Sequence, residues 1–122
     1  MDIKRLLIVD DQPALGEIVR RTAEGLGYEV KVTTHAEEFM AEFDTFDPTA
    51  IVLDIVMPDI DGIELVGWLV DRECCARILV ASGYNKRYAK MAETLGVAKG
   101  LEISFLEKPY RIAELRNALE AE

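Results

Sequence analysis

Five short apolar runs punctuate the chain, each closing on or next to a polar residue: Leu6–Val9, the alternating stretch Tyr28–Thr33, Ala50–Leu53, Ile78–Ala81 and Leu101–Leu106. Their length and their β-branched content predict strands, the first starting at about Arg5. Ala50–Leu53 shows no polar alternation, as expected of a central strand covered on both faces. Between the runs lie longer stretches with helical spacing. Leu15, Ile18, Val19, Thr22, Ala23 and Leu26 mark one face of a helix that Pro13 opens and Gly27 ends. Proline suits the first turn because its missing N–H would have no intrahelical partner there. Further helices are predicted over about Ala36–Phe43, over Gly62–Glu73 with Asp61 as N-cap and Ile63, Val66 and Leu69 inward, over Lys86–Leu95, and from about Pro109 with Ile112, Leu115 and Leu119 buried. Strands alternating with helices predict an α/β fold, a doubly wound five-stranded parallel sheet with helices on both faces. No repeat, low-complexity tract or linker interrupts the pattern, so residues 1–122 read as one domain.

The ends of these strands carry the chemistry. Leu6–Val9 leads into Asp10-Asp11, and Ala50–Leu53 into Asp54. Ile78–Ala81 leads into Ser82, and the last strand into Lys108-Pro109. In a parallel α/β sheet, ligands bind outside the carboxyl ends of the strands. Carboxylates, a hydroxyl and an ammonium on one such rim suit a divalent cation and a phosphoryl group. Each residue also has an ordinary use. An Asp-Asp pair ahead of Gln12-Pro13 would cap a helix and match its dipole, a serine after a strand is a common turn residue, and lysine usually sits on the surface.

Composition narrows the function. A net charge of -9 and a pI near 4.6 argue against binding nucleic acid or an anionic membrane directly. No apolar stretch approaches the roughly 18 residues that span a bilayer, and the N-terminus lacks a signal peptide's apolar core, so the expected location is cytoplasmic. Cys74 and Cys75 are sequence neighbours without a distant partner, which predicts reduced thiols near a helix end rather than a bridge. His35, the single histidine, makes a poor metal site alone and is expected on the surface or at a helix cap.

In order, Asp10-Asp11, Asp54, Met57-Pro58, Asp61-Gly62, Ser82 and Lys108-Pro109 resemble the receiver domains of two-component response regulators, over essentially the whole length. The resemblance implies a flavodoxin-like sheet of order 2-1-3-4-5 and a phosphoacceptor role for Asp54, with a histidine kinase or a histidine phosphotransfer protein as donor. It implies Mg²⁺ held by Asp11, Asp54 and the backbone carbonyl of Val56, with Asp10 acting through a water. Ser82 and Lys108 would bind phosphoryl oxygens, Lys108-Pro109 would be cis, and Ser82 with Phe105 would form the switch. Val56 and Tyr84 would face the acyl phosphate. Asp59 reads as solvated loop charge, and Asp61 and Gly62 as turn formers. The output face would comprise the helix after Ser82, the fifth strand and the last helix, displaying Lys86, Arg87, Lys90, Glu93, Glu102, Arg111 and Arg116 to an output domain, a downstream protein or a phosphorylation-linked homodimer.

Such a domain is not an enzyme in the ordinary sense, since it performs only self-phosphotransfer and autodephosphorylation. Three other functions compete. A Mg²⁺-dependent phosphohydrolase would usually carry Asp-x-Asp at one strand end and a cap domain. An unphosphorylated adaptor would not need Asp10, Asp11, Asp54, Ser82 and Lys108 together. A flavodoxin-like electron carrier would need a phosphate-binding loop after the first strand.

Overall fold

The computed structural model describes residues 3–54, 62–82, 90, 94–95 and 97–120. Their elements run β1 (Arg5–Val9), α1 (Pro13–Gly25), β2 (Glu29–Thr33), α2 (Ala36–Phe46), β3 (Ala50–Asp54), α3 (Gly62–Asp71), β4 (Arg77–Ser82), β5 (Glu102–Glu107) and α4 (Ile112–Glu120). The strands form one five-stranded sheet of order β2-β1-β3-β4-β5. All pairings are parallel, with Val9 opposite Leu53 and Asp54 opposite Ala81. This is the predicted order, and the register brings the carboxyl ends of β1, β3 and β4 to one edge. The helix expected over Lys86–Leu95 falls largely outside the described residues.

Alternation along the strands divides the core in two. Leu7, Val9, Ile51, Leu53, Ile78 and Val80 face α2 and α3, where they meet Phe39, Leu65, Val66 and Leu69. Leu6, Ile8, Ala50, Val52 and Leu79 face α1 and α4, where they meet Val19, Ala23, Leu115 and Leu119. β1 and β3 are buried from Leu6 to Val9 and from Ala50 to Asp54, which accounts for their unalternating apolar runs. Phe43 and Trp68 pack edge to face at 5.3 Å between ring centroids, joining α2 to α3.

Several expectations at the helices need correction. Ile18 is exposed, and the buried stripe of α1 is Gly16, Val19 and Ala23. The helix crosses β2 so closely that a Cβ on Gly16 would stand 2.9 Å from Val32 Cγ1; the missing side chain sets the stripe, which an apolar count cannot reveal. α1 ends as expected. Gly27 takes φ +91, and the Leu26, Gly27 and Tyr28 N–H groups donate to Ala23 and Glu24 carbonyls, closing the turn with a left-handed residue. α2 runs three residues beyond the predicted Phe43, to Phe46, where Asp47 adopts the left-handed conformation and stops it. α3 stops at Asp71, two residues before the predicted Glu73, and Leu65 joins Val66 and Leu69 in its buried stripe. α4 begins at Ile112 rather than Pro109. Arg111 is its cap: the Arg111 N–H donates to Glu114 Oε1 at 3.0 Å, and its carbonyl accepts the Leu115 N–H, one half of a capping box. Ile112, expected to be buried, is 53% exposed because the first turn of α4 projects past the packed stripe of Leu115 and Leu119.

Cys74 is buried and Cys75 exposed, both free, just past α3, and burial raises the pKa of the Cys74 thiol. His35 precedes α2 on the surface, its Nδ1 3.1 Å from Glu38 Oε1. Among the described residues no helix is long and apolar enough to cross a membrane.

Candidate phosphoacceptor site

Asp54 is the last residue of β3 and is 5% exposed; Asp10, one step past β1, is 3% exposed. A carboxylate this far from water costs several kcal/mol unless compensated, so both need partners. The Asp10 N–H continues the β1–β2 ladder to the Thr33 carbonyl at 3.2 Å. Buried Thr33 returns its hydroxyl to the Ile8 carbonyl at 2.6 Å, fixing the backbone under the acidic pair. Asp10 Oδ1 accepts the Gln12 N–H at 2.9 Å. One carboxylate thus does two jobs, since its other oxygen faces the site.

Lys108 supplies the compensating charge. Its Nζ lies 3.2 Å from Asp10 Oδ2 and 3.5 Å from Asp54 Oδ2, with the side chain 16% exposed. Lys108 follows β5, and the Lys108-Pro109 bond is cis, as the resemblance implies. Asp11 completes the cluster from the exposed side: carboxylate oxygens of Asp10, Asp11 and Asp54 all lie within 4.8 Å of one another. Three carboxylates against one ammonium leave an excess of negative charge, and like charges this close disfavour one another. Hard oxygen donors, two carboxylates held by the sheet and one open to solvent fit a small divalent cation that keeps part of its water. The acidic triad is therefore consistent with the metal site typical of receiver domains.

The other predicted residues stand at varied distances from this core. Ser82 is the last residue of β4, opposite Glu107 of β5, so its backbone reaches the same sheet edge. Phe105 sits opposite Val80, half-buried against the cluster beneath α2 and α3. Val56, Met57-Pro58, Asp59, Asp61 and Tyr84 lie outside the described residues, as do Lys86, Arg87 and Glu93. Lys90, Glu102, Arg111 and Arg116 are exposed.

Sequence reasoning passed over two residues near the site. Thr33 reads as the polar end of an alternating strand, and only the ladder shows what it holds. Tyr110 packs into the cluster beneath α1 and α4, and among the described residues its Oη is a buried polar atom with no hydrogen-bond partner. Burial first, and then the charges of Asp10 and Asp54, push its pKa up to about 12. Its position two residues after Lys108 was the available signal.

A parallel sheet with an acidic triad and a lysine at its carboxyl edge defines a class of proteins that take a phosphoryl group on aspartate. Residues 6–120 match the response regulator receiver domain family, and the chain belongs to it. It is 32% identical over 111 residues to the transcriptional regulatory protein TrcR of Mycobacterium tuberculosis, covering 91% of this chain and 42% of that protein. It is 28% identical over 118 residues to the alkaline phosphatase synthesis transcriptional regulatory protein PhoP of Bacillus subtilis, covering 97% and 48%. The chain spans about half the length of the curated relatives it matches. Among solved structures, the response regulator signal receiver domain from Bermanella marisrubri superposes with a TM-score of 0.80 at 27% identity, over 97% of this chain and 96% of that one. The chemotaxis protein CheY4 of Vibrio cholerae superposes at 0.82 with 25% identity, over 97% of each chain.

The chain is thus a two-component phosphoacceptor receiver domain with an aspartate phosphorylation site. As a receiver domain it is a regulatory phosphoacceptor rather than a catalytic enzyme, which answers the phosphohydrolase and flavodoxin alternatives for this domain. Membership implies a histidine kinase as partner.

Proposed function

We propose that Asp54 is the phosphoacceptor and that residues 1–122 act as one receiver domain. The observation that carries this is the position of Asp54: buried at the end of β3, inside the three-carboxylate cluster, with an ammonium 3.5 Å from its Oδ2. A carboxylate oxygen of Asp54 attacks the phosphorus of a phosphohistidine, on a histidine kinase or a histidine phosphotransfer protein. The P–N bond breaks, its electron pair returns to the imidazole, and an acyl phosphate forms on Asp54. Asp10, Asp11, Asp54 and the Val56 carbonyl would hold Mg²⁺, whose charge offsets that of the incoming phosphoryl group. Asp10 keeps its hold on the Gln12 N–H, so it stays fixed while Lys108 turns from the carboxylates to a phosphoryl oxygen. Ser82 donates its hydroxyl to another.

Movement of Ser82 and Lys108 toward the phosphoryl group biases half-buried Phe105 on the adjoining strand and changes the exposed face of β5 and α4. An output domain, a downstream protein or a second copy of the domain reads that face. Two of the relatives, TrcR and PhoP, are named transcriptional regulatory proteins, which supports an output in gene control carried by another domain. The acidic charge disfavours nucleic-acid or membrane binding by this domain itself, and the proposed location is cytoplasmic. Beryllium fluoride, which mimics an acyl phosphate on a carboxylate, tests the assignment by fluorine NMR. Bound signals are expected for the wild type only with Mg²⁺ present and never for Asp54→Asn. Equal binding by the variant would refute it.

A further inference from the structure

The proposed phosphoacceptor site leaves the Tyr110 hydroxyl unused, and three observations link it to that site. The first is strand parity. Leu6 and Ile8 of β1, and Ala50 and Val52 of β3, face α1 and α4. Side chains alternate along a strand, so Asp10 and Asp54 continue those same rows. The Tyr110 ring packs into the cluster these rows form. The second is its chain position, directly after the Lys108-Pro109 pair whose ammonium lies between Asp10 and Asp54. The third is the Oη itself, buried without a hydrogen-bond partner among the described residues. An orphan hydroxyl of this kind destabilises the fold, whereas phenylalanine would pack there without that cost.

We propose that Tyr110 is a positioning residue of the phosphoacceptor site, its hydroxyl donating through a bound water to the Asp10–Asp54 carboxylate pair. A buried water with polar partners on two sides is an ordinary structural component, and a bridge of this kind is nearly as favourable as a direct bond. The hydroxyl is a neutral donor at physiological pH, as any tyrosine is, and burial with the charges of Asp10 and Asp54 raises its pKa further. The donor becomes more valuable when Lys108 leaves the carboxylates for a phosphoryl oxygen, because the pair then loses its nearest cation. Groups behind the ligands orient a cation site, and losing one weakens metal binding.

The inference rests on Asp54 as acceptor and on Asp10 and Asp54 as cation ligands, and its test separates the two. Tyr110→Phe keeps the ring and removes only the hydroxyl. Mg²⁺ affinity by calorimetry is expected to fall about tenfold in the variant, through loss of an oriented carboxylate, and the rate of Asp54 labelling by acetyl phosphate should fall with it. In wild-type protein labelled at the tyrosine Cζ, the resonance that disappears in Tyr110→Phe should shift on adding Mg²⁺. Unchanged affinity and labelling rate in the variant, with a Tyr110 resonance indifferent to Mg²⁺, would overturn the positioning role while leaving Asp54 as acceptor. Wild-type protein that takes no label on Asp54 would overturn both.

Discussion

Asp11→Asn offers the sharpest test of the charge balance at the site. The Asp11 carboxylate is solvent-exposed, yet one of its oxygens lies within 4.8 Å of oxygens on both buried aspartates. Each such pair repels by about 1 kcal/mol in the bulk-water limit and by about 3–4 kcal/mol at an effective dielectric constant near 20. The exposure of Asp11 favours the lower figure, and Lys108 offsets part of the total, so removing the charge should stabilise the cation-free domain by about 1 kcal/mol. For a domain of this size that raises Tm by roughly 3–6 °C. The cation reverses the order. At a Mg²⁺ concentration about 100-fold above Kd, binding adds about 2.7 kcal/mol to the wild type, whereas the variant, lacking a ligand, gains little. Thermal or denaturant melts of both proteins, with and without Mg²⁺, should therefore cross. A variant less stable than the wild type without Mg²⁺ would refute the repulsion argument and make Asp11 chiefly a structural residue at the entry to α1.

The same balance predicts that Lys108→Met, which keeps the aliphatic stem, destabilises the cation-free domain by roughly 3 kcal/mol, because two buried carboxylates lose their shared partner; an unchanged denaturant midpoint would contradict this. Tyr110 gives a pH dependence. Its folded-state pKa is raised, so its contribution to stability is fully present below the ordinary tyrosine value near 10 and is lost as pH rises through about 12. Across that window the wild type should lose stability relative to Tyr110→Phe, and parallel melting curves would argue against it. Gly16→Ala should destabilise by about 1 kcal/mol despite alanine's better helix propensity, because stiff Val32 cannot yield. Adding Val32→Ala should remove the penalty, which a melt of the double variant would show.

Much of this molecule is legible in its sequence because its determinants are local. β3 announces itself as central by an apolar run closed by an aspartate, and Asp10, Asp11, Asp54 and Lys108 each follow a strand whose end defines the sheet's binding edge. Helix details were less accessible because they depend on neighbours. Ile18 and Gly16 exchange roles only because α1 lies against Val32 of β2, and α4 starts late because Arg111 and Glu114 form its cap. The orphan hydroxyl of Tyr110 was hidden for a related reason. A tyrosine after Lys-Pro reads as one more core aromatic until strand parity puts it on the same face as the acidic pair.

The central claim is that Asp54 takes the phosphoryl group, and intact-mass measurement after incubation with acetyl phosphate and Mg²⁺ tests it most directly. The account predicts a single added phosphoryl group on the wild type, lost on chelation of Mg²⁺ before the donor is added, and none on Asp54→Asn. Equal labelling of wild type and Asp54→Asn would contradict it.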